Sequence, residues 1–128
     1  MMAFCWASSS AAAQTPDTFA RNQRLGRDVN VLGYDPIWKD QHKARFQEKY
    51  FRLIQEAGFS HVRVNLHPFR DNKPKPDHKL SAAWFETLDW TLKHALANHL
   101  MVIPDFHEFQ TMGENPMGSK ERMLAVWR

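Results

Sequence analysis

A single cysteine, Cys5, stands in a chain of 128 residues, so the body of the protein has no thiol. This excludes disulfides and cysteine-built metal clusters there. No apolar run is long enough to span a membrane, and no membrane partner is expected. Charge of one sign is also scarce. Seventeen Lys and Arg stand against 14 Asp and Glu, a formal net charge of +3, with the two signs interspersed rather than gathered. Without a basic block, no nucleic-acid partner is expected either. What the chain has in quantity is apolar and aromatic: 43% hydrophobic residues, nine Phe and five Trp. Most of these rings should fill a core, and a minority could line a site.

The opening MMAFCWASSSAAAQTP is small and apolar up to Ala13, the pattern of the last part of a secretory signal cleaved after AAA, but it lacks a basic start. Two readings stand: a signal that begins upstream, or a disordered tail. The first assigns residues 1–21 to a signal remnant and linker and implies a secreted or periplasmic protein.

Downstream, LGRDVNVLG (25–33) reads as a short strand ending in a glycine turn. QHKARFQEKYFRLIQEAGF (41–59) reads as a helix with Phe46, Tyr50, Phe51, Leu53, Ile54 and Ala57 as its apolar stripe and Gly58 at its C-terminal cap. HVRVNLHPF alternates Val62, Val64 and Leu66 against Arg63 and Asn65, a strand with two distinct faces. RDNKPKPDHK is a polar, proline-bearing connection. A second helix is expected from about Ser81 to His99, lined by Trp84, Leu88, Leu92, Ala95 and Leu96. LMVIP is a third strand, FHEFQTMGENPMGS a long loop, and KERMLAVWR the start of a third helix.

Strand, helix, strand, helix, strand, helix is the pattern of a parallel sheet with crossover helices. Three such strands need neighbours on both edges. The fold class expected is therefore α/β, the first three βα units of a truncated (β/α)8 barrel. A small three-stranded open α/β domain is the alternative that the same pattern allows.

Side chains alternate along a strand, so Arg63 and Asn65 should face away from the helices. A barrel-facing arginine cannot deprotonate and demands a partner. Asp105 and His107 share the parity of Ile103 and should emerge beside Arg63 at the C-terminal end of the sheet, where barrel sites are built. Glu108 points elsewhere, as a support residue. The pair His107 and Glu108 begins an H-E-x-x-H zinc motif, but Thr111 stands where its second histidine belongs. His61, His67 and His107 lack a metal-ligand spacing, and neither a metal nor a cofactor is expected. Asp105, Glu108 and Glu114 are paired-carboxylate candidates by proximity only, and Glu114 reads as part of a turn with Pro116. Tyr34 and Trp38 follow strand one, and Phe106 and Phe109 follow strand three. Aromatic planes among polar groups suit a carbohydrate cleft.

The runs LGRDVNVLGYDPIW, EAGFSHVRVNLHPF, SAAWFETLDWTLKHALANHLMVIPDFHEF and KERMLAVW resemble glycoside hydrolase family 5, the cellulase-like (β/α)8 hydrolases. The resemblance assigns residues 22–128 to the N-terminal part of a catalytic domain cleaving β-1,4-glucan with retention. Arg63 resembles the family's strand-two arginine, which orients the nucleophilic glutamate and keeps it ionised. His107 resembles its strand-three histidine, which contacts the sugar. His67, Tyr34 and Trp38 complete the expected substrate-binding set. The family's acid/base and nucleophile glutamates follow strands four and seven, so no catalytic residue is expected in this chain, and a non-catalytic carbohydrate-binding or degenerate barrel is the alternative. Asp28 stands where the family's first strand commonly has a small residue. If the carboxylate partner of Arg63 lies on a missing strand, the 128 residues alone should be poorly soluble or molten, and Arg63→Met should leave their stability unchanged or raise it.

Overall fold

The computed structural model describes residues 17–71 and 78–127. The signal-like opening up to residue 16, Cys5 included, and residues 72–77 of the proline-bearing connection lie outside the described residues. The chain runs α1 (Thr18–Leu25), β1 (Asp28–Val31), two 3-10 turns (Pro36–Trp38 and Gln41–Lys43), α2 (Lys49–Glu56) and β2 (His61–Leu66). Then come α3 (Pro68–Asp71), α4 (Ala82–Ala97), β3 (Met101–Phe106), α5 (Phe109–Glu114) and α6 (Pro116–Val126). Its three strands form one parallel sheet in the order β1-β2-β3. With helices between them, these are the opening units of a (β/α)8 barrel.

The register sets Asn30 beside Arg63, Arg63 beside Ile103, and Asn65 beside Asp105. Alternation then separates the two faces as the sequence predicts. Val62 and Val64 are fully buried and Leu66 nearly so, in one core with Phe51, Trp84, Ala95 and Leu100. Full burial of a side chain the size of Phe51 contributes about 2–3 kcal/mol. Arg63 lies on the other face, half-exposed beside Ile103.

Four expectations need correction. The strand at 25–33 shortens to Asp28–Val31, because α1 begins at the Asp17 cap and extends through Leu25. The helix over 41–59 shrinks to Lys49–Glu56, and Asp35 is the physical reason. Its carboxylate accepts the backbone N–H groups of Ile37 at 3.0 Å, Arg45 at 3.2 Å and Phe46 at 3.0 Å, which holds 44–46 in a loop folded against the end of β1. A carboxylate offering several acceptor sites competes directly with helical hydrogen bonds. Leu53, placed on the buried stripe, is 47% exposed.

On α4 the buried face runs through Trp84, Thr87, Thr91 and Ala95, and Leu96 is 60% exposed. The threonines bury because their hydroxyls have acceptors: Thr87 donates to the Ile37 carbonyl at 3.2 Å, and Thr91 to the Thr87 carbonyl at 2.8 Å. Finally, the loop expected after β3 is helical: α5 and α6 meet at Asn115, whose side chain accepts the Gly118 N–H at 2.9 Å, with Pro116 in the first turn. That is a standard start signal within a stretch rich in loop-forming residues. Gly58 does cap α2, at φ +81°.

Because Asp35 ties three donors on two loops, Asp35→Ala should destabilise the fold by about 1–3 kcal/mol. Urea unfolding followed by Trp fluorescence reads this loss. An unchanged midpoint would show that water replaces the carboxylate at no cost.

Candidate functional site

The site gathers at the C-terminal ends of the strands. Parallel pairing of β2 with β3 brings Asp105 beside Asn65, and Arg63 lies one residue pair away on the same face. Three donors converge on one oxygen, Asp105 Oδ2: Arg63 Nη2 at 3.0 Å, Asn65 Nδ2 at 3.1 Å and His107 Nδ1 at 2.7 Å. Arg63 thus has its counterion within the chain. The expectation that Arg63 lacks a partner is corrected on this point: the partner is Asp105, delivered by the β3 register. An ionised carboxylate only accepts, so the neutral His107 ring carries its proton on Nδ1 and leaves the Nε2 lone pair for another donor.

A stack of rings extends from His107 across the mouth. His107 meets His67 edge to face at 5.3 Å, His67 stacks on Tyr34 at 4.5 Å, and the Arg70 guanidinium lies 3.8 Å over the Tyr34 ring. Phe109, 71% exposed, closes the other side of His107 at 5.3 Å. His67 is buried, and its Nε2 has no hydrogen-bond partner among the described residues. Two adjoining clefts share Tyr34, His67 and Arg70. One of about 280 Å³ adds Trp38 and Trp84, and the other of about 230 Å³ adds His107 and Glu108.

The structure therefore brings Arg63, His107, His67 and Tyr34 together. Trp38 lines the neighbouring cleft, but it also stacks on buried Trp84 at 5.3 Å and donates its indole N–H to the Leu32 carbonyl. Phe106 does not join the mouth; it packs on Phe69 at 5.4 Å. His61 sits at the opposite end of β2, its Nδ1 2.7 Å from the Leu25 carbonyl oxygen. Asp28 stands at the exposed start of β1, 4.0 Å from His61 Nε2, far from the mouth end of the strands. Arg70 escaped the sequence reading because it falls within a segment rich in turn residues. The one available signal was its place three residues after the histidine that follows β2.

Glu108 is buried, and its Oε1 accepts the Phe69 N–H at 2.8 Å. Burial raises its pKa above the ordinary carboxylate value, against the opposing pull of the Phe69 N–H and of Arg122, Arg70 and His107. Burial lowers the His67 pKa, reinforced by Arg70 and His107 nearby and opposed by Asp105. A lowered native pKa means that the unfolded chain binds the proton first. The stability supplied by neutral His67 is therefore present above the ordinary value of 6.5 and lost as pH falls through the depressed native value. Urea midpoints measured across this acid window should fall with pH in the native sequence and fall less steeply in His67→Phe. Equal slopes would mean that His67 does not carry the effect.

Comparison with known proteins places this geometry. A family model described as cellulase (glycosyl hydrolase family 5) matches residues 23–127. The structure of Thermotoga maritima Cel5A in complex with cellobiose is similar at 31% identity and a TM-score of 0.71, over 87% of this chain and 36% of that one. Cel5A of the same organism in complex with mannotriose is similar at 30% identity and a TM-score of 0.72, again over 87% and 36%. A hyperthermophilic endo-β-1,4-glucanase shares the fold, with a TM-score of 0.71 at 20% identity over 85% of this chain and 36% of its own. Among curated proteins no relative matches. The chain spans about 36% of the length of these structures. With a family model covering nearly all of its described residues, the chain belongs to the cellulase family, glycosyl hydrolase family 5.

Proposed function

We propose that this chain forms the substrate-orienting third of a retaining endo-β-1,4-glucanase, exported from the cell, whose two catalytic glutamates lie on strands outside these residues. The observation that carries the reading is the Arg63, Asp105 and His107 cluster at the C-terminal strand ends. Family membership and neighbours solved with cellobiose and mannotriose support it.

The geometry supports the following roles. Asp105 occupies one edge of the Arg63 guanidinium, which has five N–H donors in a fixed fork, so others remain for a nucleophilic carboxylate. A fixed positive charge beside that carboxylate favours its ionised, nucleophilic form. His107, oriented by Asp105, offers Nε2 to a sugar hydroxyl. Tyr34, which is exposed, supplies aromatic surface for the C–H face of a sugar ring with buried His67 stacked against it, and Trp38 extends that surface into the neighbouring cleft. The small apolar opening of the sequence supports export.

The test uses the enzyme with all its strands and soluble β-1,4-glucan as substrate. Arg63→Met should lower kcat by about 10²-fold or more, since the charge acts on the reacting carboxylate. It should also cost about 1 kcal/mol of stability, because Asp105 loses its charged partner at a half-exposed position. Sugar binding without hydrolysis by the unmodified enzyme would favour a carbohydrate-binding role instead. Unchanged kcat in Arg63→Met would remove the arginine from the mechanism.

A further inference from the structure

Phe69 is the second residue of α3, a one-turn helix whose first N–H groups have no partner within the helix. Its N–H goes instead to Glu108 Oε1 at 2.8 Å, 39 residues away in sequence. Its carbonyl accepts from Arg122 Nη2 on α6 at 2.5 Å, and the Arg122 guanidinium lies 4.1 Å over the Phe69 ring. Phe106, at the end of β3, packs edge-on against the same ring. The segment after β3 and α6 thus converge on one residue of the β2 connection.

That residue sits between two members of the ring stack. His67 precedes Phe69 by two positions and Arg70 follows it directly, and both flank Tyr34. Peptide planarity leaves only two soft dihedrals per residue, so gripping both backbone polar groups of Phe69 restricts where those side chains point. We propose that Glu108 and Arg122 are positioning residues for the sugar-binding rim: by clasping Phe69 they set His67 and Arg70 against Tyr34 and His107. The proposal rests on the glycosidase reading. It also explains why a carboxylate is buried here despite the desolvation that raises its pKa.

Steady-state kinetics on the enzyme with all its strands, using cellopentaose, decide the point. Glu108→Ala should raise KM roughly tenfold and leave kcat within about twofold. Glu108→Gln keeps an acceptor oxygen for the Phe69 N–H and should restore KM to within about threefold. In a His67→Ala background, Glu108→Ala should add less than about twofold, because both act through the same ring. An unchanged KM in Glu108→Ala, or full additivity with His67→Ala, would overturn the clasp. If Glu108→Ala does not fold, Arg122→Lys is judged by the same two criteria. If the unmodified enzyme hydrolyses nothing, the glycosidase reading fails and the clasp is judged by NMR. His67 imidazole signals that move in Glu108→Ala and return in Glu108→Gln support it, and signals that do not move refute it.

Discussion

One carboxylate oxygen organises this site. Asp105 Oδ2 takes donors from Arg63, Asn65 and His107, two from the neighbouring strand and one from its own chain two residues on. Each donor alone would be a modest interaction, and Arg63 is half-exposed, so the cluster's value lies less in stability than in direction. It fixes the plane of a guanidinium, the rotamer of an amide and the tautomer of an imidazole at once. The parallel register of β2 and β3 makes this possible, because it places residues of the same parity side by side on the face away from the helices.

Around that centre the fold supplies supports rather than more chemistry. Asp35 anchors the connection after β1 and so places Tyr34 next to it. Glu108 and Arg122 hold the connection after β2, which carries His67 and Arg70. Among the described residues each connection is held by a carboxylate accepting backbone N–H, three at Asp35 and one at Glu108. Loops that carry binding groups need such anchors, since their own backbone cannot satisfy itself.

The legible part of the sequence was the part governed by periodicity. Alternation in HVRVNL reveals β2 and its two faces, and the parity of Ile103, Asp105 and His107 sets the last two beside Arg63. Family motifs added the roles of Arg63 and His107. What periodicity could not reveal was competition from single side chains. The helix over 41–59 lost its first turns to the Asp35 carboxylate, and the α4 face rotated toward Thr87 and Thr91 because their hydroxyls found carbonyls. The resemblance points Arg63 toward a carboxylate on a later strand, and parity alone does not show that Asp105 is its ion-pair partner. A pairwise distance, unlike a parity, cannot be read from spacing. The Phe69 clasp joins residues 39 and 53 positions apart, and no local pattern announces it.

The central claim, that Asp105 orients its neighbours toward the mouth, is tested most directly by the tautomer of His107. Long-range 1H–15N NMR of the imidazole, recorded at roughly pH 8 where a free histidine is neutral, distinguishes the two ring nitrogens. The account predicts a proton on Nδ1 and an unprotonated Nε2 in the native protein, with the preference lost in Asp105→Ala. A proton on Nε2 in the native protein would contradict it, because Asp105 would then face a lone pair and could not be holding the ring.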